Sequence, residues 1–302
     1  MAEVESSNGI AITFDSWMKN GKYENLRSSF YQSVLSAEIE KLESKLNLSL
    51  DAVPIIVSGM ASSSIGMAEL PYKEIPFCID GYDLYTELLD ANTGFNHTSL
   101  IISGAKTNDD AIRGEETQLT GCVNVNNRNE HFFIFPGTHS KHITVRNGKA
   151  VDIKTYMTGE FFELLSKKSI LSYDIEPGED IISVENKKAF EKGVWDSQQL
   201  NLLHSAFLIR TNRLFNNLSK HENYYYLSGL VIGAELKEIV NLKLPVTIVS
   251  NEWLIRYYSA ALTKLGLYGI KYLQGSKAVI NGHFTFFKRH ESALIRKTII
   301  TP

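Results

Sequence analysis

Asn147-Gly148 stands between two β-type runs, residues 142–146 and 149–156. An Asn-Gly pair accepts positive φ at both central positions, so it closes a two-residue type I′ hairpin. With the apolar run 131–135 just upstream, this predicts three consecutive antiparallel strands, and the pattern over 160–168 predicts a helix behind them. Helical patterns follow over 200–218 and 225–240, then a strand over 246–249, a helix over 252–265, a strand over 270–273 and a final helix. The order is β-β-β-α, helices, β-α-β-α.

Before the hairpin, Val34, Leu35, Ile39, Leu42 and Leu46 mark one stripe of an amphipathic helix over 31–46. Residues 54–58 read as a short buried strand ended by Gly59, and 100–102 as another ended by Ser103-Gly104. Both run into loops of small and polar residues, where ligand loops sit in open α/β sheets. The first half thus shows a short initial strand, a helix, a strand, a loop, a strand and a helix. That is the later part of the second half's order, without its opening hairpin. At roughly 150 residues per domain, the 302 residues predict an α/β chain of two lobes around a cleft. The expected domains are 1–128 and 129–302, joined by the polar stretch 124–130.

Composition narrows the function classes. Thirty-one basic against thirty-four acidic residues, a formal charge of −3, leave no footprint for nucleic acid or an anionic membrane. Two cysteines make neither a disulfide framework nor a cysteine-rich metal site. No apolar run approaches the roughly 18 residues of a membrane span, and no secretory h-region is visible. A cytoplasmic location is expected, and a homo-oligomer stays open.

Four stretches can carry chemistry. In 136–142, Gly137 in a turn between strands lets backbone N–H groups approach a phosphate, with Thr138 and Ser140 hydroxyls and Lys141 beside it. A plain Pro-Gly turn explains the same residues slightly better on local grounds. His139 and His142, three apart on a strand, face opposite sides, which argues against a metal pair. In 109–118, Asp110 or Glu115 is a candidate general base, against the plainer reading of acids that stabilise a helix N-terminus. The loop 58–66 offers hydroxyls and backbone donors for a polyhydroxylated or carboxylated ligand, or is a linker. Gly229 and Gly233 lie four apart on an apolar helix; close helix packing explains this better than the approach of a flat purine. The P-loop, G-x-S-x-G, H-E-x-x-H and G-x-G-x-x-G signatures are absent.

Taken together and in order, Ile112-Arg113-Gly114-Glu115-Glu116-Thr117-Gln118-Leu119, Phe135-Pro136-Gly137-Thr138-His139 with Lys141, Thr158-Gly159-Glu160 and Leu227-Ser228-Gly229-Leu230-Val231-Ile232-Gly233-Ala234-Glu235 resemble the 2-dehydro-3-deoxygalactonokinases. The resemblance runs from about Glu5 to Gly282. It implies an actin-like ATPase fold of two ribonuclease-H-like lobes, with ATP and Mg²⁺ used to phosphorylate the terminal hydroxyl of 2-dehydro-3-deoxy-D-galactonate, a step of galactonate catabolism. Carried onto matching positions, it places Gly137, Thr138, His139 and Lys141 in the second phosphate loop. Gly229, Gly233 and Ser250 fall in the adenosine region, although Ser250-Asn251 stand where the family usually has a glycine. Ser58, Gly59, Met60 and Ser63, with Arg113 and Glu116, would face the sugar acid, and Asp110 or Glu115 would be the catalytic base.

The family opens with an Asp-Trp-Gly-Thr-Thr-Asn type phosphate loop, which this chain does not show, and residues 2–6 resemble its third strand. The expectation is therefore a first lobe short of its opening hairpin, by at least roughly 15–20 residues. Weak nucleotide binding and little kinase activity would follow. Two other classes stay open at this stage, a non-catalytic sugar-acid or nucleotide sensor and a phosphoanhydride hydrolase.

Overall fold

The computed structural model describes residues 2–19, 27–122, 130–178, 181 and 183–298. Met1–Asn126, Gly148–Val151 and Ala278–Pro302 gather into one compact unit, and Asn127–Asn147 with Asp152–Lys277 into another. Residues 278–302, read from sequence as the end of the second lobe, thus cluster with the first unit. Of the polar connection expected at 124–130, all but Glu130 lies outside the described residues.

In the first unit, residues 2–9 form neither strand nor helix, so the short initial strand expected there is absent. Helices α1 (Ile10–Lys19) and α2 (Arg27–Leu46) come first. The predicted stripe of α2 is half-buried throughout, and the core it joins holds Tyr31, Ala61, Met67, Leu70 and Ile101. The strands are short: β1 (Ile55–Val57), β2 (Lys73–Glu74), β3 (Phe77–Cys78), β4 (Thr86–Leu89), β5 (Ser99–Ile102), β6 (Ala105–Lys106) and β7 (Ala111–Ile112). β1 lies parallel to β5, with β4 antiparallel on its other side; β2, β6 and β7 make a second small sheet. Strand β5 is fully buried, as its apolar run predicts. Helix α3 (Glu115–Cys122) follows β7.

The predicted meander follows, β8 (His131–Phe135), β9 (Ser140–Arg146) and β10 (Lys149–Tyr156), all in the second unit except residues 148–151, which cluster with the first. Asn147 and Gly148 take φ values of 51° and 73°, the left-handed pair that a type I′ turn requires. The helix expected over 160–168 starts earlier, as α4 (Thr158–Glu163), and widens into a π turn over Leu164–Lys168. Then come α5 (Val184–Gln199), α6 (Leu202–Leu214), α7 (Lys220–Leu236), β11 (Val246–Ser250), α8 (Glu252–Lys264), β12 (Lys271–Gln274) and α9 (Gly275–Thr298), which runs on into the first unit. β11 adds parallel to β8 and β12 parallel to β11, giving the order β12-β11-β8-β9-β10.

Helix α5 has no counterpart in the sequence reading. Its buried face is Ala189, Phe190, Gly193, Val194 and Ser197, with Phe190 and Val194 its only larger apolar members among many charged residues, so its apolar signal is weak. Small residues there let α5 and α7 touch backbone to backbone. A Cβ on Gly193 would stand 2.1 Å from the Tyr226 carbonyl oxygen, and one on Gly229 would stand 2.0 Å from that of Phe190. The core of this unit gathers around Phe190, Tyr225, Tyr226, Leu227, Ile248 and Tyr258. No described helix is long and apolar enough to cross a membrane.

Candidate active site

In the first unit the loop after β1 meets the turn between β7 and α3. Gly59 (φ 78°) and Gly114 (φ 117°) are both in the region that favours glycine, and a Cβ on Gly114 would stand 3.4 Å from the Gly59 α-carbon. A side chain at either position would strain its own backbone, while its Cβ would meet the facing loop only at ordinary contact distance.

Around this junction the side chains largely serve the loops themselves. The Arg113 guanidinium donates to the Ser62 carbonyl and hydroxyl (2.6 Å to Oγ) and to the Tyr72 hydroxyl (3.2 Å), and it stacks 4.1 Å from the Tyr72 ring centre. Ser63 Oγ donates to the Met60 carbonyl at 2.7 Å, while the Met60 side chain is exposed. Glu116, expected to face a sugar acid, is fully buried, and both its oxygens accept from the Gly114 N–H at 2.9 and 2.7 Å. Burial, and then the charge of Glu115, push the Glu116 carboxyl up to about 7. Glu116 thus ties the Gly114 turn from inside, and Ser63 ties its own loop at Met60.

The two candidate bases differ in the same respect. Glu115 Oε2 accepts from the Arg113 N–H at 3.0 Å. Asp110 is fixed through its backbone, its N–H donating to Thr107 Oγ1 at 2.8 Å and its carbonyl accepting from the Thr107 N–H at 2.8 Å. Its half-buried carboxylate makes no hydrogen bond or ion pair among the described residues.

Sequence reasoning missed His283, one of two histidines in α9 and without local signal. Its Nε2 lies 2.9 Å from Ser58 Oγ, and burial pulls its imidazole down to about 4. It is held there because α9 and α3 touch backbone to backbone: a Cβ on Gly282 would stand 2.1 Å from the Thr117 carbonyl oxygen.

In the second unit the turn between β8 and β9 borders a cavity of about 710 Å³ lined by Gly137, Thr138, Gly159, Phe162, Asn251 and Trp253 among others. Gly137 has open space where a Cβ would stand; at Gly159 a Cβ would crowd the Gly137 carbonyl oxygen at 2.7 Å. Glycine at 159 therefore lets the start of α4 rest on the turn, where the Glu160 N–H donates to the Thr138 carbonyl at 3.0 Å. Thr138 is exposed, and exposed His139 pairs with Glu160. Lys141 is buried and folds back, Nζ donating to the His139 carbonyl at 2.7 Å. Ser250 is also buried, its hydroxyl 3.3 Å from the Pro136 carbonyl oxygen.

Gly229 and Gly233 both face α5, where a Cβ on Gly233 would stand 2.3 Å from Ser197 Oγ. Their neighbours Ser228, Val231 and Ile232 instead line a slot of about 80 Å³ that shares Gly137, Gly159 and Trp253 with the cavity. The two glycines thus serve helix packing.

Beneath the turn lies buried Glu235 on α7, also missed as a site residue. Oε1 accepts from Ser140 Oγ and His142 Nε2, each at 2.8 Å. Oε2 accepts from the Thr158 hydroxyl and from the Tyr258 hydroxyl at 2.6 Å. Burial, with the Glu235 charge, drives the Tyr258 hydroxyl well above its ordinary value.

The sequence profile of a family described as 2-keto-3-deoxy-galactonokinase matches residues 13–286. A 2-dehydro-3-deoxygalactonokinase of Escherichia coli K12 is 27% identical over 226 residues, 72% of each chain. A probable 2-dehydro-3-deoxygalactonokinase of Rhizobium meliloti strain 1021 is 28% identical over 187 residues, 61% of this chain and 60% of that one. Among solved structures, a candidate 2-dehydro-3-deoxygalactonokinase from Sinorhizobium meliloti superposes with a TM-score of 0.77 at 22% identity, covering all of this chain and 90% of that one.

Proposed function

The chain belongs to the 2-keto-3-deoxy-galactonokinase family, and on that premise we propose that it transfers the γ-phosphoryl group of ATP to the terminal hydroxyl of 2-dehydro-3-deoxy-D-galactonate. The observation that carries this reading furthest is the Gly137-Thr138 turn, bare of side-chain obstruction at the rim of a cavity of about 710 Å³. Backbone donors of such a turn suit phosphate oxygens. The strand order β12-β11-β8-β9-β10, with an antiparallel meander followed by two parallel strands, supports a ribonuclease-H-like lobe of the actin-like ATPase kind.

For the acceptor we assign Asp110 as the base, ahead of Glu115. A base must be free to meet the substrate hydroxyl, and Glu115 already spends an oxygen on the Arg113 N–H. Asp110 takes the proton as the hydroxyl oxygen forms its bond to the γ-phosphorus and the bond to the β-phosphate oxygen breaks, releasing ADP. Ser58, beside His283, offers a hydroxyl for the sugar acid, and Arg113 acts by holding Ser62 and Tyr72 in place. Mg²⁺ in phosphoryl transfer is commonly held by phosphates, water and one or two carboxylates. Among the described residues no cluster of three or more acidic, histidine or cysteine groups could hold a metal, so we assign no protein-built metal site and no step to the ion.

ADP release from ATP should depend on added 2-dehydro-3-deoxygalactonate and fall to background with galactonate or gluconate. Equal turnover without any sugar acid would contradict the assignment.

A further inference from the structure

We propose that Glu235 is a positioning residue for the nucleotide: it fixes the Gly137-Thr138 turn, the start of α4 and α8 as one block around the cavity. The proposal rests on the kinase reading above. Glu235 is 3% exposed, and its four partners come from three elements: Ser140 and His142 from β9, Thr158 from α4 and Tyr258 from α8. An ionised carboxylate only accepts and offers about four lone-pair sites, so these four donors satisfy it. His142 must then carry its proton on Nε2, and its ring is fixed between Phe132 and Tyr156 at 5.3 and 4.5 Å.

The geometry ties this network to the cavity. Ser140 Oγ also lies 3.4 Å from the Phe135 carbonyl oxygen and 3.3 Å from the Tyr258 hydroxyl. Phe135 and Ser140 are the two ends of the segment that contains Gly137 and Thr138; the one hydroxyl proton of Ser140 goes to Glu235, the shorter contact, so the carboxylate holds the Ser140 end, while ladder pairing of Phe135 with Lys141 holds the other. Thr158 and Tyr258 line the slot beside the cavity. A network that only stabilised the core would not need its donors on the three elements that frame the phosphate turn.

Ser140→Ala and Glu235→Gln test this in the whole chain. In Glu235→Gln, the amide can turn its NH₂ toward the Thr158 and Tyr258 hydroxyls, which can accept, and keep its oxygen on His142. The expected result for Ser140→Ala is a 3- to 10-fold rise in KM for ATP, with KM for the sugar acid unchanged and a chain still folded by circular dichroism. Glu235→Gln should show a smaller rise of the same kind, and Glu235→Ala a larger one. Asp174→Asn controls for stability loss alone: it weakens the buried Asp174–Arg210 pair in the same unit and should lower Tm without moving KM for ATP. An active wild type with unchanged KM for ATP in both Ser140→Ala and Glu235→Gln overturns this inference only. A wild type that does not use ATP overturns the kinase reading and this inference with it.

Discussion

The loops around Gly59 and Gly114 ride on strands of three and two residues and are tied mainly by their own side chains, Arg113 to Ser62, Ser63 to Met60 and Glu116 to Gly114. The turn at Gly137 rides on strands of five and seven residues and is braced from below by one buried carboxylate. The first arrangement can yield one hydrogen bond at a time as a ligand arrives; the second moves as a block. A preformed seat suits triphosphate, whose transfer depends on positioning and electrostatic stabilisation.

The largest expected effect separates chemistry from binding. Asp110→Asn should lower kcat by about 10²–10⁴-fold while KM for ATP stays within a factor of two or so, because the proposed nucleotide seat is built from residues of the other unit. Glu115→Gln should cost far less, since Gln keeps an oxygen for the Arg113 N–H. Steady-state kinetics on both variants checks this, and the reverse ranking would move the base to Glu115.

Next comes packing in the second unit. Gly229→Leu must displace backbone, because its Cβ would meet the Phe190 carbonyl oxygen at 2.0 Å. Its cost should exceed the ~1–3 kcal/mol of ordinary overpacking, read as a shift in urea midpoint. A neutral Gly229→Leu would show that α5 and α7 are not locked, and the block would lose its rigidity.

The first unit should show a pH signature. Glu116, raised to about 7, binds a proton when folded over a window where the unfolded chain has released it, so its contribution to stability falls as pH climbs from about 4.5 to 7. His283, lowered to about 4, has the opposite sign: the unfolded chain binds the proton first as pH falls, so stability is lost from about 6.5 down to 4. In the wild type the two oppose each other. Glu116→Gln should unmask a stability that rises with pH, and His283→Gln one that falls. Urea midpoints for both variants between pH 4.5 and 7 read these slopes, and parallel curves would contradict the assigned burial.

What was legible in the sequence follows the range of the interaction. The meander and its Asn147-Gly148 turn were readable because a two-residue turn and alternating strands are set locally. So were β11, a fully buried apolar run, and amphipathic α8; β12 was read as well, although it is exposed throughout. Helix α5 was not, because it buries small residues against the α7 backbone, and periodicity of large apolar side chains is blind to that. β4 was missed for a different reason: Thr86–Leu89 is half-buried with exposed Glu87 and pairs antiparallel with β5 only through tertiary contact. The turn proposed to take phosphate was visible as a motif, whereas its support was not. Glu235 and Ser140 are 95 residues apart, and His283 and Ser58 are 225 apart. The burial of Glu116 was not legible, because an acid in a first helical turn ordinarily faces water, and here the fold closes over it to hold Gly114.

The most direct test is the KM for ATP of Gly137→Val. Gly137 has nothing within 4 Å of where a Cβ would stand, so the fold can accept the side chain, while the seat assigned to phosphate cannot. The account predicts a rise in KM for ATP of at least 10-fold with Tm and KM for 2-dehydro-3-deoxygalactonate unchanged. An unchanged KM for ATP in a folded Gly137→Val chain would contradict it and place the nucleotide elsewhere.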